Sequence, residues 1–212
     1  MIPVKICGIT DAQAAWAATC AGASFVGFVF HPSSPRAVTP EEAAAIARDC
    51  AGQIKTVALF VDPTDADLQA VFDAFSPDMI QLHGAEAPER VGWIRAHAGR
   101  AVIKALGVAQ ALDIAAARTY EEVADWILFD AKPAGGGVGG GTGTSFDWDL
   151  LKDYKGARPW MLSGGLNART VAAALAVCKP DAIDLSSGVE DAPGRKNPDL
   201  IHDFFEELAR MG

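Results

Sequence analysis

Short apolar runs rich in β-branched and aromatic residues alternate with longer Ala/Glu/Leu-rich amphipathic stretches along the chain. The runs begin at Pro3 (PVKICG), Ser24 (SFVGFVF), Lys55 (KTVALFV), Met79 (MIQLHG), Ala101 (AVIKALG), Asp125 (DWILFDAK), Pro159 (PWMLSGG) and Asp181 (DAIDLSSG), 21 to 34 residues apart. Strands that alternate with helices predict βαβ units and a parallel sheet. Eight units in 212 residues predict one α/β domain over residues 1–212, a single (β/α)8 TIM barrel near the short end for that fold. A doubly wound open sheet is the rival; it would make two of the eight strands false.

Local signals place the helices. Thr10 with Gln13 and Thr39-Pro40 with Glu42 read as capping boxes, and Asn197-Pro198 repeats the cap-then-Pro pattern. Gly22 and Gly99 stand where helices end. Two connections are long, His31–Thr39 and Lys132–Phe146, and both follow strand C-termini. In a barrel these loops share the rim that carries active sites. The second holds a glycine-rich stretch, Gly135–Gly143, which reads equally as a linker, a lid or a phosphate-facing loop.

Composition narrows the function classes. Half the residues are apolar and 21% are charged, ordinary for a globular protein. The net charge of −9 argues against nucleic acid or an anionic membrane as partner. It leaves room for a small phosphorylated molecule, because a local ring of backbone N–H groups outweighs distant charge. No run of 18 apolar residues suggests a membrane span, and the first residues lack the pattern of a signal peptide, so a cytoplasmic protein is expected. Cys7, Cys20, Cys50 and Cys178 are too scattered for a zinc or redox pair and are expected as free thiols. No dinucleotide fingerprint, nucleotide P-loop or metal-ligand spacing occurs, so neither a cofactor nor a metal is expected. Monomer and homodimer stay open.

Alternation of strand faces selects rim residues. Lys5 and Cys7 share an inward face of the first strand, with Val4 and Ile6 turned to the helices. Trp126, Leu128, Asp130 and Lys132 share a face of the sixth; an acid at the end of WILFD reads as functional, or as a cap or salt bridge to Lys5 or Lys132. His31, Asp62, Gln81, His83, Lys104, Ser163, Asp184 and Ser186 complete a polar ring. The turns Ser163-Gly164-Gly165 and Ser186-Ser187-Gly188 end strands seven and eight, where barrels often bind phosphate. Arg36, behind Pro35, suits a carboxylate or phosphate, or is simply a surface cation.

These segments resemble the phosphoribosylanthranilate isomerase family over essentially the whole chain. The resemblance rests on seven motifs in order: KICGIT from Lys5; GFVF from Gly27 with SSPR from Ser33; QLHG from Gln81; Phe129-Asp130; GGTG from Gly140 with Phe146-Asp147-Trp148; LSGGL from Leu162; and DLSSGVE from Asp184. One departure is the longer, more glycine-rich loop, with Thr144 where a basic or other polar residue is common. The resemblance implies a cofactor-free Amadori rearrangement in tryptophan biosynthesis, with Cys7 as base and Asp130 as acid. It implies substrate contacts from Asp184, from Arg36 to the anthranilate carboxylate, and from Gly164, Gly165, Ser186, Ser187 and Gly188 to the phosphate. Lys5 is expected to favour the Cys7 thiolate. Other phosphate-binding barrels are the alternatives, an indoleglycerol-phosphate synthase or a metal-using pentose-phosphate epimerase, as is a binding module without catalysis. Acceptance of the related histidine-pathway aminoaldose stays open.

Overall fold

The computed structural model describes residues 1–132 and 146–211. The loop Gly135–Gly143 and Thr144 therefore lie outside the described residues. Eight strands close into a parallel barrel in sequence order: β1 (Val4–Cys7), β2 (Phe25–Val29), β3 (Lys55–Phe60), β4 (Met79–Leu82), β5 (Ala101–Val108), β6 (Trp126–Ala131), β7 (Trp160–Leu162) and β8 (Ala182–Leu185). The open-sheet rival is excluded because β1 pairs with β8, Lys5 opposite Asp184. Every strand begins within one residue of its expected start.

The helices are α1 (Ala12–Ala21), α2 (Pro40–Asp49), α3 (Asp65–Ala74), α4 (Pro88–Ala98), α5 (Ala111–Ala115), α6 (Val171–Val177) and α7 (Pro198–Arg210). Thr39 and Glu42 form the expected capping box, Asn197 caps α7, and Gly22 and Gly99 end α1 and α4 in left-handed conformation. The expected Thr10 cap is wrong. Asp11 caps α1 by accepting from the Ala14 N–H, while the Thr10 hydroxyl donates to the Gly194 carbonyl. A carboxylate one residue nearer the helix serves its N-terminal N–H groups, and the threonine is drawn into tertiary contact. A helix after every strand is also corrected. Between β6 and β7 the described residues form a single 3-10 turn, Trp148–Leu151. After β8 a two-stranded hairpin, β9 (Glu190–Ala192) with β10 (Arg195–Lys196), precedes α7.

Two apolar layers follow from strand alternation. Val4, Ile6, Val26, Phe28, Ala58, Phe60 and their counterparts pack outward against the helices. Phe25, Val57, Met79, Ile103, Ala105, Leu128, Met161 and Ala182 fill the barrel interior. The interior is therefore a packed floor, and chemistry is confined to the strand C-termini above it.

Candidate active site

A pocket opens at the C-terminal end of the strands, lined by Cys7, His31, Arg36, Gln81, His83, Asp130, Ser163, Asp184 and Ser186 with an apolar wall of Val29, Leu59 and Val61. Cys7 ends β1 and Asp130 is the penultimate residue of β6, so the two enter from well-separated strands. Both are buried. Of the polar ring, His31, Gln81, His83, Ser163, Asp184 and Ser186 reach this pocket. Asp62 and Lys104 do not. The Lys104 side chain leaves on the opposite face of β5 to hold Glu86 at 2.7 Å, and Asp62 sits in a left-handed turn where it accepts from the Ala85 N–H.

Asp130 is neither a cap nor a partner of the two lysines weighed for it. Its Oδ1 accepts from the Ala131 N–H at 2.8 Å and its Oδ2 lies 3.4 Å from His83 Nε2. Lys132 pairs instead with Asp113, and Lys5 donates to Asp184 at 2.9 Å. Arg36 is not a surface cation. Only 7% of it is exposed, and its Nε and one terminal nitrogen grip both oxygens of Glu190 at 2.8 and 2.7 Å. Lys196 donates to the same carboxylate at 2.6 Å and to the Ser186 carbonyl. The β9–β10 hairpin thus fixes the direction of Arg36.

The two turns above β7 and β8 touch. A Cβ on Gly188 would collide with the Leu166 carbonyl. Gly164 has φ +89°, and a Cβ there would meet the Ala131 backbone nitrogen at 2.8 Å. Gly165, whose carbonyl accepts from the Thr170 hydroxyl, continues the first turn. Ser187 and Gly188 belong to a 3-10 turn that follows Ser186 directly. Short turns of this kind leave backbone N–H groups without helix or sheet partners, the raw material of an anion site.

A family model described as N-(5'phosphoribosyl)anthranilate (PRA) isomerase matches residues 4–207. The chain belongs to that family. It is 53% identical to the N-(5'-phosphoribosyl)anthranilate isomerase of Azorhizobium caulinodans, over 98% of this chain and 91% of that one. The crystal structure of phosphoribosyl anthranilate isomerase from Thermotoga maritima superposes with a TM-score of 0.89 at 38% identity, covering 99% of this chain and all of that one. A further relative, solved in complex with reduced 1-(o-carboxyphenylamino)-1-deoxyribulose 5-phosphate, superposes at 0.85 with 36% identity over 99% and 100% of the two chains.

Within this pocket, burial dominates the ionisation of Cys7. Burial pushes the Cys7 thiol above its ordinary value; Lys5 and Lys196 pull it down, while Asp184 adds to the rise. Lys5 does favour the Cys7 thiolate, as expected, while also donating to Asp184, but desolvation of the thiolate outweighs that help. Burial also raises Asp184, with Lys5 opposing. Glu190 is held below the usual glutamate range: burial opposes ionisation, but hydrogen bonds from Arg36 and Lys196 outweigh it. Away from the pocket, His202, Asp203 and Glu206 bring potential metal-ligand atoms together on an exposed face of α7. No helix among the described residues is long and apolar enough to cross a membrane.

The apolar wall and the Glu190–Lys196 clamp escaped the sequence reading. Val29, Leu59 and Val61 carry an available signal, since strand alternation puts them on the inward face with Val57. The clamp joins residues 154 apart and has no periodic signature.

Proposed function

We propose that this pocket isomerises N-(5-phosphoribosyl)anthranilate to 1-(2-carboxyphenylamino)-1-deoxyribulose 5-phosphate, an Amadori rearrangement of tryptophan biosynthesis, with Cys7 as general base and Asp130 as general acid and without a cofactor. The observation that carries the residue roles is that a thiol and a carboxyl group, supplied by β1 and β6, enter one buried pocket from separate strands. Family membership supports the reaction.

Protonated Asp130 gives its proton to the furanose ring oxygen. The C1′–O bond breaks, the oxygen keeps the electron pair as a hydroxyl, and the nitrogen lone pair forms the iminium. Cys7, as thiolate, then removes the C2′ proton, and the C–H electrons become the C1′–C2′ double bond of an enolamine. Tautomerisation moves one proton from the C2′ hydroxyl to C1′ and yields the ketone. The cycle closes when the proton on Cys7 is returned to Asp130 through solvent. The iminium is the electron sink, so no redox partner enters the balance. It also supplies a positive charge beside Cys7, and a nearby positive charge favours the thiolate that burial alone disfavours.

Val29, Leu59 and Val61 offer a surface for the aromatic ring, and Arg36 is aligned for its carboxylate. The turns Gly164-Gly165 and Ser186-Ser187-Gly188, of which Ser186 lines the pocket, take the phosphate, and Asp184, also in the lining, contacts the substrate. The direct test follows the fluorescence of phosphoribosylanthranilate with protein and chelator present. Faster decay at full rate in chelator is expected. Tight binding without decay would make the pocket a binding module, and loss of activity in chelator would favour a metal-using epimerase-type site.

A further inference from the structure

Gln81 lines the pocket yet is wholly withdrawn from solvent. Its Nε2 lies 3.0 Å from His83 Nδ1, and its Oε1 is buried without a hydrogen-bond partner. With its amide nitrogen turned to the ring, Gln81 donates and Nδ1 accepts, an orientation that goes with a ring proton on Nε2. Nε2 itself lies 3.4 Å from Asp130 Oδ2. The backbone around His83 is pinned: its N–H donates to the Phe60 carbonyl, and Glu86 and Lys104 hold Gly84 on the other side. On the ring itself, Gln81 is the side chain that meets Nδ1.

We propose that Gln81 is a positioning residue that fixes His83 as the Nε2–H tautomer, so that His83 donates to Asp130 as the acid gives up its proton. The inference rests on Asp130 being the general acid. Once the proton leaves, the new carboxylate keeps the Ala131 N–H on Oδ1, and His83 Nε2, 3.4 Å from Oδ2, is near enough to close into a second hydrogen bond as the charge develops. A donor poised this close to where charge develops lowers the barrier with little reorganisation. The opposite amide orientation satisfies Oε1 with the Nδ1 proton, but it turns a bare Nε2 lone pair towards that carboxylate. The unpartnered Oε1 is the cost of keeping the useful orientation, and a buried polar group left unpaired calls for such an explanation.

The test reads the His83 tautomer by nitrogen NMR of the uniformly labelled intact protein, with the signals of the four histidines separated by a His83→Asn variant. The wild type is expected to show Nε2–H at His83. Gln81→Met keeps length but not polarity; it should release Nδ1–H and lower kcat about tenfold with KM within about twofold, the tenfold corresponding to about 1.4 kcal/mol. Gln81→Glu, an acceptor only, should draw the proton to Nδ1 and lower kcat further. A wild-type Nδ1–H tautomer overturns the proposal even if both variants fail to fold. So does a folded Gln81→Met enzyme with an unchanged tautomer or an unchanged kcat. Failure of the acid assignment is separable: Asp130→Asn retaining activity refutes that reading, while the tautomer measurement still judges Gln81.

Discussion

Lys5 on β1 and Asp184 on β8 stand opposite one another at the seam that closes the barrel and join by a 2.9 Å hydrogen bond, both withdrawn from solvent. A buried pair of this kind gives little net stability over an apolar pair, but losing one partner strands the other charge. Lys5→Met should therefore destabilise the fold by about 3–5 kcal/mol, and the double variant Lys5→Met/Asp184→Leu should recover most of that. Urea midpoints at constant slope measure both. A Lys5→Met variant within about 1 kcal/mol of wild type, below the cost of breaking a buried pair, would mean that water reaches the seam.

The proposed catalytic pair is tested by Cys7→Ser and Asp130→Asn, which keep size and shape while removing the thiol and the carboxyl proton. General acid–base steps contribute about 10²–10⁴-fold, so each variant should lose at least about a hundredfold in kcat with KM little changed. Circular dichroism confirms folding. If Cys7→Ser keeps more than about a tenth of the rate, far short of that range, the thiol is packing and His83 is the next base to examine.

The raised Cys7 thiol sets the alkaline behaviour. In the free enzyme the thiolate fraction keeps growing as pH climbs past the ordinary cysteine value of about 8.5. The curve of kcat/KM, which reports free-enzyme groups, should thus have a limb still rising above that pH. Burial holds the thiol up and the Asp184 charge adds to it, so Asp184→Asn should shift the limb to lower pH even as it weakens binding. A limb that stays in place would show that another group titrates there.

Arg36→Met should weaken substrate binding by roughly 1.5–3 kcal/mol, the range for hydrogen bonds to a charged group. Inhibition by inorganic phosphate should stay the same. Glu190→Gln should show a smaller loss, since Arg36 keeps its charge and loses part of its alignment. Equal weakening of phosphate inhibition in Arg36→Met would move the guanidinium to the phosphate.

For the phosphate, a substitution at Gly164 is uninformative, because its positive φ and the Ala131 backbone strain any side chain there. Ser187→Asp instead sets a negative charge on the second turn. It should raise KM and the phosphate inhibition constant together by at least about tenfold, or about 1.4 kcal/mol. An unaltered phosphate inhibition constant would place the anion elsewhere.

What the sequence determined by itself is what short-range physics writes locally. Short apolar runs rich in β-branched and aromatic residues placed the start of all eight strands to within a residue, and Thr39, Asn197, Gly22 and Gly99 marked helix ends through hydrogen bonds that reach no further than three or four residues. Strand parity also aimed Cys7 and Asp130 inward, and family resemblance attached roles to them. What depended on neighbours across the barrel was decided only by the tertiary structure. Lys5 serves the thiol as expected but is bound to Asp184 as well; Arg36 is gripped by Glu190; Lys104 faces away from the pocket to hold Glu86. The resting state of Cys7 belongs to the same class, because desolvation is a property of the closed pocket and not of the KICG segment. Charge pairing and burial act through space, between residues whose separation in the chain carries no pattern, so they become legible once the barrel is closed.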